Sequence, residues 1–391
     1  MPFFVLYLLA ENTVLIRKGA ELGMKRLWNI IRTNAVTLIA LALAAITSFI
    51  VPPDAEYLNY FDFKTLTCLF TVLAVVCALR NVRFFYTMAE KIVKHFKNAR
   101  LAVIALIYIT FIGSMLIAND MALITFLPLG YFVLVSGKME KYMCITFILQ
   151  NIAANLGGML TPFGNPQNLY LYTKFSIPDG EFMLIMLPCF LLSVALITLA
   201  AIIFVKPEPL SFSGIERKLP VARIVIYLVL FALSIVCVFR LIPYQIALIV
   251  IPIVILIMDR RALLDVDYGL LLTFVFFFIF SGNMARIEIV RSFFSFLLER
   301  STLLFSALSC QIISNVPSAI LLSQFTDNYR ELLLGVNIGG CGTLISSLAS
   351  LITFREYTSH NKGQTGKYIA IFSAFNFAFL AILLAFAFLF I

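Results

Sequence analysis

Thirty-two consecutive residues, 142–173, carry no Asp, Glu, Lys or Arg. A run of that length exceeds the roughly 20 apolar residues that a helix needs to cross a bilayer. Its middle nevertheless holds Gly157, Gly158, Pro162, Gly164 and Pro166, which a continuous helix tolerates poorly. The polar side chains there are amides and a hydroxyl: Asn151, Asn155, Thr161, Asn165, Gln167 and Asn168. Interrupted backbone at membrane depth is viable only where it is buried in protein or lines a wet cavity. The stretch therefore predicts a helix, an unwound turn and a second helix, with the turn forming half of a solute site.

The rest of the chain agrees with a membrane setting. It has 391 residues, 62% hydrophobic and 13% charged, with a mean hydropathy of +1.02. That composition excludes an ordinary soluble domain and predicts an all-α polytopic membrane protein. Gly and Pro lie inside apolar runs rather than between short alternating segments, which argues against a β-barrel. All seven Cys fall in apolar segments without metal-like spacing, as small packing residues do. The net charge of +9 comes from basic residues beside the apolar runs, which is the positive-inside pattern and not a nucleic-acid surface. Residues 1–32 lack a basic leader and hold too short an apolar run to span, so they are expected to form an interfacial segment.

The same order of elements occurs twice. Residues 33–205 and 241–391 each give two spans, an in-plane or mixed segment, an apolar segment with a polar centre, a Gly-Gly-interrupted span and a last span. Residues 206–240 supply a charged loop and a connecting span. The polar-centred segments, 101–137 around Asn119 and 301–326 around Asn315, are expected to be re-entrant hairpins. The interrupted spans are 142–173 and 332–354. Asn155, Gly157, Gly158 and Thr161 of the first match Asn337, Gly339, Gly340 and Thr343 of the second at one constant offset, the signature of a duplicated unit. Leu344 and Leu348 stand where the first has Pro162 and Pro166, which predicts a milder second break. Nine spans and two hairpins put 22 of the 29 Lys and Arg residues on the side of the N-terminus. That side is therefore cytoplasmic, the C-terminus is outside and the second unit is inverted. The run 65–79 has only 15 charge-free residues and needs snorkelling Arg80 to reach across.

Two hairpin tips and two broken helices related in this way meet near the midplane. Half-helix N-termini there favour an anion, while unwound carbonyls and side-chain oxygens hold a cation. Ser314, Asn315, Asn119, Thr161, Asn165, Thr343, Ser346 and Ser347 supply neutral donors and acceptors. Gly164, Asn168, Gly339 and Gly340 complete the two turns, with helix packing and capping as their structural alternative. Asp120 is the only ionisable residue deep in an apolar run, and its alternatives are a cation or proton site and a protonated helix cap. With no Lys or Arg inside the runs, an anionic solute is favoured. Sodium/proton exchange at Asp120 and a channel are the rival readings. An intramembrane hydrolase lacks its second acid or its base, so no enzyme is expected, and no cofactor apart from Na+ or H+.

These motifs carry a resemblance. Ala118-Asn119-Asp120, the TPFGNPQN of 161–168, the SNVP of 314–317 and the NxGGxxT of 337–343 resemble the ion transporter superfamily. Within it they are most similar to the branch of arsenite permeases, D-type sodium/proton antiporters and citrate carriers, and more distantly to divalent-anion/sodium symporters. The resemblance covers most of residues 34–391. It implies a scaffold and a mobile transport domain, two inverted hairpins, a homodimer and elevator-like alternating access in the plasma membrane. It further implies substrate and coupling-ion contacts at Asn119, Asp120, Asn155, Thr161, Asn165, Ser314, Asn315, Asn337 and Thr343, with Asn119, Asp120, Ser314 and Asn315 the candidates for Na+. Asp120 replaces the Thr of the divalent-anion hairpin motif, and Val316-Pro317 follow Asn315, so a dicarboxylate is not implied.

Overall fold

The computed structural model describes residues 35–210 and 219–390; the interfacial reading of residues 1–32 lies outside them. Helix α1 is Ala35–Ile50 and α2 is Phe63–Asn81. A short helix, α3 (Phe84–Val93), leads to α4 (Ala99–Ile117) and α5 (Asn119–Ser136). Then come α6 (Met143–Gly157), a 3-10 turn at Gly158–Leu160, α7 (Pro166–Lys174) and α8 (Asp179–Phe204). The later part begins with α9 (Val221–Val238), α10 (Tyr244–Met258), α11 (Arg260–Leu264) and α12 (Tyr268–Arg286). It continues with α13 (Glu288–Arg300), α14 (Thr302–Ile313), α15 (Asn315–Leu322) and α16 (Tyr329–Ile338), and ends with α17 (Leu348–His360) and α18 (Thr365–Phe390). No β-strand occurs among the described residues; one isolated bridge pairs Asn98 with Pro209. Eight helical stretches are long and apolar enough to cross a membrane, and the chain is a multi-pass helical membrane protein.

Capping residues set several of the boundaries. The carboxylate of Asp62 accepts the Thr65 N–H at 2.9 Å and the Thr65 hydroxyl at 2.5 Å. That start carries α2 through Lys64 and Arg80 to 19 residues, about 28 Å at 1.5 Å per residue. The span at 65–79 is therefore longer than its charge-free core suggested, because a capped helix accommodates charges at its ends. Asn98 Oδ1 accepts the N–H groups of Arg100 and Leu101 and begins α4, so the expected in-plane segment 81–100 is one short helix and a capped turn. Glu208 joins the loop after α8 to the turn before α6, with its carboxylate 2.5 Å from Lys141 Nζ and accepting the Tyr142 hydroxyl at 2.8 Å. These partners, Lys141 first, hold the Glu208 carboxyl below its ordinary range.

Packing divides the helices into two groups. Helix α1 lies along α12, and α9, α10 and α11 pack on α2. The other group contains α4 to α8 with α14 to α18. They meet where α7 packs on α2 and where α15 packs on α12. Inside the second group the halves interlock: α7 packs against α15 and α16, while α17 packs against α5 and α6. Each helix that follows a break is thus seated on the other half of the chain.

Candidate solute and ion site

Both interruptions are real. After α6 and its 3-10 turn the chain is non-helical until Pro166, and between Ile338 and Leu348 it has no α-helix at all. The expectation of a milder second break is overturned. Gly342, at φ +124°, turns the chain as the prolines do in the first break, because a positive φ ends a helix as firmly as a missing N–H.

Several hydrogen bonds of the two breaks correspond. Gly164 N donates to Thr161 O, and Ser346 N to Thr343 O, each at 3.2 Å. The Thr161 hydroxyl donates to Met115 O at 2.7 Å, and the Thr343 hydroxyl to Gln311 O at 3.1 Å. Each hydroxyl so satisfies a carbonyl that the end of α4 or α14 leaves open. At the tips, Asn119 N donates to Gly164 O at 3.1 Å and Asn315 N to Ser346 O at 2.9 Å. Asn119 Oδ1 then accepts the N–H of Asp120, and Asn315 Oδ1 that of Val316, both at 2.9 Å.

Ala118 and Ser314, the residues before these asparagines, share an unusual backbone. Their φ/ψ values are 66°/152° and 74°/160°. Only glycine adopts that region readily, and another residue there costs about 1–3 kcal/mol. Two such residues at equivalent places show that surrounding contacts hold both tips in a high-energy shape.

Reciprocal bonds tie the halves together. Asn155, near the end of α6, donates to the Ser347 hydroxyl at the start of α17, at 3.1 Å. Asn165, at the start of α7, donates to Asn337 Oδ1 near the end of α16, also at 3.1 Å. Each bond joins the end of the helix before one break to the start of the helix after the other. Asn119 Nδ2 donates to Asn155 Oδ1 at 3.2 Å, so the first tip joins the same network. Asn119, Asn155, Asn165, Asn168, Asn315, Asn337, Ser346 and Ser347 are all buried, and Asp120, Ser314 and Thr343 are half-buried.

The predicted residues divide by what their groups already do. Asn168 Nδ2 reaches the carbonyls of Gly158, Met159 and Thr161 at 3.2–3.3 Å, and its Oδ1 accepts from Asn337 at 2.6 Å. It fills the first break from within and has little left for a solute. Gly157 permits contact: a Cβ there would lie 2.3 Å from Phe111 O. Ser346 donates to Gly340 O and Thr343 O, both at 2.8 Å. Asp120 Oδ1, Asn165 Oδ1 and Gln167 Oε1, by contrast, are buried acceptors with no partner within the described protein. Unpaired buried oxygens are costly; Asp120 stands in the first turn of α5, and Asn165 and Gln167 at the start of α7.

Comparison with known proteins bears on what such a site serves. Residues 24–329 match the family described as citrate transporter. The chain belongs to the citrate transporter family. It is 32% identical over 339 residues, covering 85% of this chain and 91% of the relative, to a protein of Methanocaldococcus jannaschii named an uncharacterized transporter. It is also 27% identical over 304 residues, 75% of this chain and 80% of the relative, to the inner membrane protein YbiR of Escherichia coli. The motifs had pointed to a branch of arsenite permeases, D-type sodium/proton antiporters and citrate carriers, and the family matched is the last of these.

For this member of the citrate transporter family, the motifs alone missed several residues of the network. Gln311 does in the second break what Asn168 does in the first: its Nε2 donates to Gly339 O at 2.9 Å and Cys341 O at 3.0 Å. Its Oε1 accepts the Thr343 N–H at 2.8 Å. A lone amide one turn before Asn315 in an uncharged helix was the available signal. Asn151 and Ser350 extend the crossing by a bond of 3.4 Å. Arg80, Asp265 and Asp267 line one cavity with Asp120, although they are far from it in sequence. Arg80, at the end of an apolar run, is half-buried on that cavity wall.

Proposed function

We propose that this chain is a secondary active transporter of a small anion, a carboxylate of the citrate class or an inorganic oxyanion, coupled to Na+ or H+. The observation that carries the reading is the reciprocal pair Asn155–Ser347 and Asn165–Asn337. It sets the starts of α7 and α17 beside the ends of α16 and α6, with the α5 tip joined to them through Asn119. Helix starts present positive dipole ends and free N–H groups to an anion. The spare oxygens of Asp120, Asn165 and Gln167 offer a cation the ligands it needs, and Asp120 is the natural exchanging group.

In this proposal α4–α5 and α14–α15 are the re-entrant hairpins of two inverted units. The group around α1, α2, α9, α10 and α12 is the scaffold, and the group holding the breaks moves against it as an elevator in a homodimer of the plasma membrane. The N-terminus is cytoplasmic and the C-terminus outside. Na+ lies at the tips, among Asn119, Asp120, Ser314 and Asn315.

The test is uptake of labelled citrate and of phosphate into proteoliposomes under imposed Na+ and pH gradients. Accumulation above equilibrium that follows one gradient supports the proposal, and equal flux with and without gradients overturns coupling. Exchange of Na+ for H+ with no anion movement would instead make Asp120 the centre of an antiporter.

A further inference from the structure

The cavity that Asp120 lines has its own chemistry. Its volume is about 310 Å³, and it is bounded by Pro166 and Leu348 at the starts of α7 and α17. Most of its wall is Leu, Val, Ile, Met and Phe. Four charged residues line it: Asp120, Arg80 from the end of α2, and Asp265 and Asp267 from the turn between α11 and α12. Asp120 Oδ1 is sealed from solvent without a partner, while Asp265 and Asp267 are exposed. Asp267 Oδ1 caps α12 by accepting the Leu270 N–H at 2.9 Å. Arg80 makes no ion pair among the described residues; its Nη1 lies 3.6 Å from Met121 Sδ.

We infer that this cavity is the route by which the coupling cation reaches Asp120. The inference rests on the proposed coupled transport. Three carboxylates against one guanidinium give the cavity a negative balance, which raises the local concentration of a cation and disfavours a free anion. The apolar walls leave that field weakly screened. The exposed pair concentrates the cation, and the Asp120 carboxylate receives it. Arg80 lines the same cavity, and its fixed positive charge weakens the cation's hold and permits release. Asp265 and Asp267 come from the group packed on α2, and Asp120 from the group that holds the breaks, so the route lies where the two groups meet.

The experiment reads cation binding directly and needs no identified solute. The melting temperature of the purified full-length protein is followed against Na+ at fixed pH and ionic strength, and against pH without Na+. The two series separate a sodium ion from a proton. The part of each response that vanishes in Asp120→Asn is the binding signal. Asp265→Asn/Asp267→Asn together shift its midpoint to about tenfold higher cation, one unit lower in pH if the ion is a proton. Arg80→Gln shifts it the opposite way by about threefold, while Arg80→Lys and Asp267→Glu restore the wild-type midpoint. Asn at 267 still caps α12, so the fold is kept. Opposite shifts support the route. Midpoints that stay put, or that all move one way, overturn it and leave coupled transport standing. A wild-type response unaffected by Asp120→Asn overturns both.

Discussion

The two tips of the molecule, 118–120 and 314–316, share a backbone and differ in chemistry. Ala118 and Ser314 occupy the same glycine-like conformation, and Asn119 and Asn315 make corresponding backbone bonds to Gly164 and Ser346. After the asparagine the first tip has a carboxylate, Asp120, and the second has Val316 and Pro317. Their arms differ as well. Helices α4 and α5 have 19 and 18 residues, about 28 and 27 Å long, whereas α14 and α15 have 12 and 8, about 18 and 12 Å. The two segments thus share the backbone geometry of the turn, and the ionisable group stands in one of them only.

The largest effect expected is on that asymmetry. Asp120→Asn should remove the gradient dependence of solute uptake, a loss of tenfold or more in concentrative uptake, while Val316→Asn at the equivalent place keeps it. A second tip as sensitive as the first would break the distinction, and parallel uptake assays on the two variants decide it.

The breaks differ in how each is made. Gly342 has φ +124°, and a Cβ there would lie 2.0 Å from Gln311 Oε1, so Gly342→Ala should cost about 2–3 kcal/mol through strain and a displaced amide. Its counterpart Leu160 sits in a 3-10 turn, and Leu160→Ala should cost about 1 kcal/mol or less as a half-exposed truncation. Thermal unfolding in detergent compares them, and equal losses would show that the second turn does not depend on its glycine.

A smaller difference separates the crossing asparagines. Asn337 Oδ1 accepts from Asn165 and Gln167, and its Nδ2 donates to Asn168 and Leu333 O. The Asn155 side chain has two partners, Asn119 and Ser347. Asn337→Ala should therefore destabilise by about 2 kcal/mol and Asn155→Ala by about 1 kcal/mol, again read from melting. The reverse order would mean that water replaces the Asn337 partners. Smallest of all, Ala118→Gly and Ser314→Gly should each raise stability, by about 0.5–1 kcal/mol, because relief of strain outweighs the added freedom of the unfolded chain. A loss in one variant alone would show that the two tips are not strained alike.

Much of this site was readable from residue order. Gly and Pro inside an uncharged run can only be interrupted helix, and the constant offset from Asn155 to Asn337 marked the second copy. The milder second break was misjudged because proline is visible in a sequence, whereas the positive φ that Gly342 adopts is a property of its surroundings. Gln311 escaped for a similar reason: one amide in an apolar helix does not reveal which carbonyls it will meet.

By itself, the sequence determined that the chain is a helical membrane protein and where its helices break, since these follow from hydropathy and from the limits of the helix. Only the tertiary structure decided that Asn155 meets Ser347 while Asn165 meets Asn337, and that Arg80, Asp265 and Asp267 share a cavity with Asp120. Such pairings join residues up to about two hundred positions apart. Periodicity and propensity act over a few turns of chain, and the packing that unites distant segments leaves no local trace.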